Sequence, residues 1–186
     1  MSTVKPMHDD TALKARLQNP ASKEAAFGDV VAEYQERLYY HIRRMLGSHD
    51  EADDVLQNTF IRAWRAIDKF RGDSKLHTWL YRIATNEALT AIEKRKRRSF
   101  QDLEQISNTS SFSSSQDGSN GDDIQQRLQN AIETLPERQK AVFSMRYFDE
   151  MPYQEISDIL GVTVGSLKAS YHHAVKKIEE QLTNEK

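Results

Sequence analysis

Cysteine is absent from all 186 residues. That removes disulfide frameworks, thiolate metal sites and cysteine nucleophiles together. The missing thiols accord with a reducing, cytoplasmic setting. No stretch approaches the run of about 18 apolar residues that a membrane span requires, and residues 1–10 carry no apolar core of a secretory signal. Membrane insertion and secretion are therefore not expected. Catalytic signatures are missing as well. The six histidines (8, 41, 49, 77, 172, 173) form no His-Glu-x-x-His pair, and no glycine-rich phosphate loop occurs. His49, Asp50 and Glu51 with Asp53 and Asp54 have metal-ligand chemistry, yet adjacent helical side chains diverge in direction. Neither an enzyme, a cofactor nor a metal is expected.

Hydrophobic residues make up 38% of the chain and charged residues 29%, for a formal net charge of −2. The total hides an uneven distribution. Residues 1–98 carry 18 cations against 14 carboxylates (+4), residues 99–133 carry 1 against 6 (−5), and residues 134–186 carry 7 against 8 (−1). The first segment ends in five consecutive cations, Lys94, Arg95, Lys96, Arg97 and Arg98. Composition then changes abruptly. Residues 99–122 hold eight serines, two glycines and few large apolar side chains, too little burial to offset ordering entropy. This reads as an acidic, flexible linker that reaches about 80 Å fully stretched and averages roughly 25–30 Å as a coil. The organisation is thus residues 1–98, a linker at 99–123, and residues 124–186. No internal repeat is evident.

Both modules read as helical. Phe27, Val30, Val31, Tyr34, Leu38, Ile42 and Met45 recur at three- and four-residue steps and are closed by Gly47. Ser48 and Glu51 form a capping-box pattern ahead of a second stripe: Ala52, Val55, Leu56, Phe60, Ala63, Trp64 and Ile67. Phe70, Arg71, Gly72, Asp73 and Ser74 break the period as a loop, with Asp73 or Ser74 as the expected N-cap. Leu76, Trp79, Leu80, Ile83, Ala84 and Ala88 begin a third helix that runs into the cations. A weaker helix is expected near residues 11–17. In the second module Ile124, Leu128, Ala131, Ile132 and Leu135 are helical in period, and Pro136 suits a first helical turn. Val142, Phe143 and Met145 also fit a short strand, but no partner strand is evident. The expected fold is all-α: an N-terminal helical bundle and a C-terminal helix-turn-helix on a tether.

A short helix at about 152–160, a Gly161-Val162 turn, a Thr163 cap and a longer helix make the helix-turn-helix. With Leu167, Tyr171, Ala174 and Ile178 inward, Ser166, Lys168, Ala169, His172, His173 and Lys176 fall on or beside the outer face. Small, polar and cationic side chains there suit a helix lying in the major groove. The same pattern fits a helical hairpin of a protein-binding domain, with those residues merely solvated. In the first module the cations suit phosphate neutralisation, or simply a solvated helix end. Phe70, Trp79 and Tyr81, among Arg71, Lys75, His77 and Arg82, suit base stacking beside a nucleic-acid backbone; Phe70 and Trp79 suit a core equally. Asp50, Asp53, Asp54, Gln57, Asn58, Ile61, Arg62 and Arg65 form a strip that is acidic early and basic late. As a pattern alone it is a dipole-matched surface helix.

Three segments in order carry a family resemblance. Residues 50–64 (DEADDVLQNTFIRAW) are similar to the conserved helix of bacterial sigma-70-family factors. Phe70-Arg71-Gly72-Asp73-Ser74 with Thr78-Trp79-Leu80-Tyr81-Arg82-Ile83-Ala84 and Asn86 resembles the promoter-melting segment that follows it. Leu135-Pro136-Glu137-Arg138-Gln139, Tyr153-Gln154-Glu155-Ile156 and residues 160–168 (LGVTVGSLK) resemble the C-terminal DNA-binding region. The two-domain length points to the extracytoplasmic-function (ECF) subgroup. The resemblance implies a factor that binds core RNA polymerase (its β′ clamp helices and β) and promoter DNA, with an anti-sigma protein as a further partner. It implies polymerase docking through Asp53, Asp54, Gln57, Asn58, Ile61 and Arg62, in place of the bare surface helix. It implies −10 recognition and melting through Phe70, Arg71, Gly72, Ser74, Trp79, Asn86, Lys94, Arg95, Arg97 and Arg98. The −35 element would be read through Ser166, Lys168, Ala169, His172, His173 and Lys176. The family often has Arg where this chain has Ser170 and His173, which weakens phosphate contact there or makes it follow histidine protonation. An operator-binding regulator independent of polymerase, and a helical adaptor without nucleic acid, are the competing functions.

Overall fold

The computed structural model describes residues 10–70, 72, 74–105 and 123–184. The Ser-rich stretch 106–122, Arg71, Asp73 and residues 1–9 lie outside the described residues. Eight α-helices make up the described chain: α1 (Asp10–Gln18), α2 (Lys23–Leu46), α3 (His49–Ala66), α4 (Leu76–Gln105), α5 (Asp123–Glu133), α6 (Glu137–Tyr147), α7 (Tyr153–Leu160) and α8 (Val164–Asn184), with a 3-10 turn at Ile67–Lys69 after α3. No strand occurs among the described residues, so Val142, Phe143 and Met145 are helical and buried within α6. The all-α expectation holds.

The apolar stripes place the helices. α2 buries Phe27, Val30, Tyr34, Leu38, Ile42 and Met45 along one side and packs on α1, α3 and α4. Ser48 caps α3, its Oγ accepting from the Glu51 N–H at 3.4 Å. Only half of a capping box forms, because the Glu51 carboxylate turns to Arg95 at 2.7 Å. Trp64 departs from its expected inward position: it is 38% exposed, with an edge against Phe27 and the Lys23 ammonium 4.8 Å from its ring centre. Two boundaries of α4 differ from expectation. The Trp79 N–H donates to the Lys75 carbonyl, so the cap position falls on Lys75 rather than Asp73 or Ser74. The helix also continues to Gln105, past Ser99, because Gln101, Leu103, Glu104 and Gln105 are good helix formers and no Gly or Pro intervenes.

The second module has a small core of Ala131, Ile132, Leu135, Phe143, Ala174 and Ile178, formed by α5, α6 and α8. α7 lies between α8 and α4. A tether between separate modules leads one to expect two cores kept apart. Instead Ala141, Val142, Met145, Met151, Ile156, Ile159 and Leu167 are buried in the same cluster as the core of the first module. Polar contacts accompany this docking. Arg44 donates to Asp149 at 2.6 Å, and its guanidinium lies 4.7 Å from the centre of the Phe148 ring. Thr78 donates to Glu155 at 2.9 Å, His77 pairs with the same carboxylate, and Arg82 donates to the Asp158 carbonyl. Lys96 pairs with Glu137 at 2.5 Å.

These contacts set the ionisation of the groups at the joint. The hydrogen bond from His77 holds the Glu155 carboxyl below its ordinary value of 4.5, with burial opposing. Lys96 does the same for Glu137. Burial pushes the Tyr81 phenol up, reinforced by the Asp149 charge. A depressed carboxyl contributes stability that is fully present above its unfolded pKa and disappears as pH falls through the folded one. Wild type is therefore expected to lose more melting temperature between about pH 5 and pH 3 than Glu155→Gln, which carries no titrating carboxyl at that position. Superimposable melting profiles for the two proteins would refute the assignment.

Candidate nucleic-acid and polymerase interfaces

The helix-turn-helix is built as its sequence implies. Gly161 ends α7 at φ 67°, a left-handed conformation that costs side-chain-bearing residues. Ser157 Oγ donates to the Val162 carbonyl at 2.6 Å, which ties down the turn. Thr163 Oγ1 accepts from the Ser166 N–H at 3.3 Å and so caps α8. Leu167, Ala174 and Ile178 are buried. Ser166, Lys168, Ala169, His172, His173 and Lys176 are all exposed on the opposite side, and Ser170 is half-buried. A Cβ added at Gly161 meets nothing within 4 Å, so only backbone conformation opposes a larger residue. Gly161→Ala is expected to cost about 1–2 kcal/mol, read as a lower thermal midpoint. An unchanged midpoint would show that the turn relaxes without strain.

The first module presents two further surfaces. In α3, Asp54, Gln57, Asn58, Ile61 and Arg62 are exposed and Asp53 is half-buried. At 100° per residue these six span one half of the helix, opposite the buried Ala52, Val55, Thr59 and Ala63. Ile61 is 46% exposed, an apolar centre ringed by polar groups, as docking surfaces often have.

The second surface runs along α4. Phe70, placed equally in a pocket or a core by its spacing, is 8% exposed. Its ring centre lies 5.2 Å from that of Trp79, so Phe70 supports a half-buried Trp79 from beneath. Gly72 adopts φ +78°, and a Cβ there would sit 2.8 Å from Lys14 Nζ. Backbone conformation is what favours glycine here, since the Lys14 side-chain tip can shift to make room. Ser74 is half-buried. Trp79, Ile83 and Asn86 follow at four- and three-residue steps on one side of α4. Asn86 is exposed and lines a shallow concavity of about 330 Å³ with Arg62, Ala66, Ile83 and Glu87. Arg62 Nε pairs with Glu87 at 2.8 Å. The structure therefore unites a candidate polymerase contact and a candidate base contact in one hollow between α3 and α4.

Lys94, Arg95, Arg97 and Arg98 are exposed further along α4. Arg95 is already engaged, donating to the Leu46 carbonyl at 3.1 Å and to Glu51 at 2.7 Å. No pattern in the sequence assigned His41, Arg44, Asp149 or Glu155 to a joint, and His77, read beside a nucleic-acid backbone, instead pairs with Glu155. One signal was present: His41 stands three residues after Leu38, on the apolar side of α2, and is fully buried. Among the described residues, no group of three or more potential ligands is placed to hold a metal, and no helix is long and apolar enough to cross a membrane.

Two family models match the chain: "Sigma-70 region 2" over residues 30–98 and "Sigma-70, region 4" over residues 125–178. The chain is 36% identical over 180 residues to the ECF RNA polymerase sigma factor SigW of Bacillus subtilis, covering 91% of this chain and 96% of that protein. It is 34% identical over 182 residues to the ECF RNA polymerase sigma-E factor of Escherichia coli K12, covering 93% and 94%. Among solved structures, it resembles the sigma factor RpoE of Bartonella quintana, crystallised in complex with the anti-sigma factor NepR. The TM-score is 0.67 at 26% identity, over 84% of this chain and 96% of that one. CnrH, solved in complex with the cytosolic domain of CnrY, shares the fold with a TM-score of 0.68 at 22% identity, over 95% and 99%.

Proposed function

Because the chain belongs to the sigma-70 family, as an ECF-type sigma factor that binds core RNA polymerase and directs promoter recognition, melting and initiation, we propose how its residues divide that work. Residues 1–98 bind polymerase and open the −10 element, residues 99–123 link, and residues 124–186 read the −35 element. Asp53, Asp54, Gln57, Asn58, Ile61 and Arg62 dock on the β′ clamp helices, with β as a further contact. Trp79 and Asn86, with Phe70, Arg71, Gly72 and Ser74 as further −10 contacts, receive an extruded base. Extrusion costs a few kcal/mol of stacking, which aromatic and amide replacements offset. Lys94, Arg95, Arg97 and Arg98 hold backbone phosphates. Ser166, Lys168, Ala169, His172, His173 and Lys176 face the −35 major groove. The factor acts in the cytoplasm, performs no chemistry itself and is held in check by an anti-sigma protein, as the Bartonella quintana factor solved with its anti-sigma factor supports.

The observation that carries this reading is the stripe from Trp79 through Ile83 to Asn86, which ends in the hollow beside Arg62 on the candidate docking helix. Run-off transcription from a cognate promoter tests it. Core polymerase with the protein is expected to give a discrete transcript, and the free protein to bind the same duplex weakly. Output unchanged by adding the protein would refute the reading. Tight, salt-sensitive binding of the free protein to duplex DNA would instead favour a polymerase-independent regulator.

A further inference from the structure

We propose that Lys14, on the short helix α1, is a further −10 contact: its ammonium holds a backbone phosphate of the displaced strand beside the loop that receives the extruded base. The contact extends the −10 assignment above, on which it rests, to a helix outside the stretch that the region 2 model matches, residues 30–98.

The position of α1 is set by packing. Nine residues are too few to make a stable helix in water by themselves, so neighbouring elements must hold it. Leu13 and Leu17, one turn apart, are buried in the core of the first module. α1 packs on α2 and on the 3-10 turn Ile67–Lys69, and that turn leads directly into Phe70. The end of the helix is tied down twice. Arg16 donates to Asp29 at 2.8 Å, and Ser22 Oγ donates to the Arg16 carbonyl at 2.9 Å. Lys14 stands between the two buried leucines, so its backbone has little freedom.

From there the side chain runs along the loop. Measured from the point where a Cβ at Gly72 would stand, Lys14 Cδ, Cε and Nζ lie at 3.2, 3.3 and 2.8 Å. The outer half of the lysine thus lies over the bare backbone of a glycine. Lys14 is half-buried and Gly72 exposed, which is the arrangement of a packed stem carrying its charge to the surface. Gly72 stands two residues after Phe70, within about 7 Å along the chain, and the Phe70 ring supports Trp79. A base that leaves its stack for Trp79 carries its flanking phosphates towards this loop. An ammonium on a flexible stem suits such a strand, because it is a point charge with three rotatable donors and demands no fixed approach. Packing over a glycine needs only an unbranched stem, so the charge is what marks a ligand here. Arg16 offers the contrast. It lies 200° round the same helix, and its guanidinium is committed to Asp29.

Salt dependence separates a phosphate contact from a packing role. Holoenzyme, made from core polymerase and the full-length factor, is titrated across a salt series with a labelled single strand. The strand carries the non-template −10 region of a promoter that the wild-type holoenzyme opens. Each phosphate neutralised on a single strand adds about 0.7 to the slope of log affinity against log salt. Lys14→Gln is expected to make that slope shallower by about 0.7, so the wild-type advantage shrinks about fivefold for each decade of added salt. Lys14→Arg should keep the wild-type slope, and Arg16→Gln should leave it unchanged. Asn86→Ala should weaken binding at an unaltered slope, because an amide displaces no counterion. A Lys14→Gln line parallel to wild type, whether at equal or lower affinity, would reduce Lys14 to packing and overturn the proposal. Equal shallowing in Arg16→Gln would overturn it too, by assigning the effect to the net charge of α1. A wild-type holoenzyme that does not retain the single strand would overturn the −10 assignment itself and this contact with it, a failure visible before any variant is compared.

Discussion

Asn86→Ala is expected to lower the yield of opened promoter at least tenfold, or about 1.4 kcal/mol, while changing closed-complex affinity less than twofold. The side chain is exposed, so its truncation leaves the fold intact within about 0.5 kcal/mol. An amide carries both donors and acceptors and can satisfy the edge of an extruded base. Its neighbours Ile83 and Ala66 give the hollow an apolar wall. Losing the amide leaves base edges unpaired only after the strand has opened. Permanganate reactivity of the opened strand and filter binding of the closed complex measure the two quantities separately. Equal losses in both would place Asn86 in duplex recognition.

Leu38→Ala should produce the largest loss of stability among single truncations in the first module. Leu38 is fully buried in α2, the helix that packs against α1, α3, α4 and α6. Removing a buried isobutyl group costs about 2–5 kcal/mol. For a chain of this size that corresponds to a drop in thermal midpoint of roughly 4–20 °C. α3, α4 and the joint all rest on α2, so initiation should fail at a lower temperature than in wild type. Calorimetry checks the first part, and a shift below about 2 °C would show that the site repacks.

The legible parts of this molecule were those where one local rule decides. Apolar steps of three and four placed α2, α3 and α8, Ser48 and Thr163 announced their caps, and Gly161 announced its turn. The outward face of α8 followed from the stripe of Leu167, Ala174 and Ile178. Where two rules competed, the sequence was ambiguous. Ser99 looked like the start of a linker, yet the residues after it favour a helix. Phe70 suited a pocket or a core, and packing under Trp79 placed its ring in the core. The candidate docking strip on α3 could not be told from a solvated helix by pattern, because dipole matching and partner recognition call for similar charges. The joint was invisible for a different reason. Arg44, His77, Asp149 and Glu155 each resemble ordinary surface residues, and their partners lie tens of residues away, so no periodicity marks them.

The pairing of Arg62 with Glu87 joins the candidate docking strip to the candidate base hollow. A guanidinium drawn away by an acidic surface on the large enzyme would leave the Glu87 carboxylate without its counterion, one residue from Asn86. A lone acceptor at that spot repels phosphodiester and welcomes the amino edges of an unstacked nucleobase. Seating on the enzyme would thereby make the hollow more hospitable to a single displaced letter.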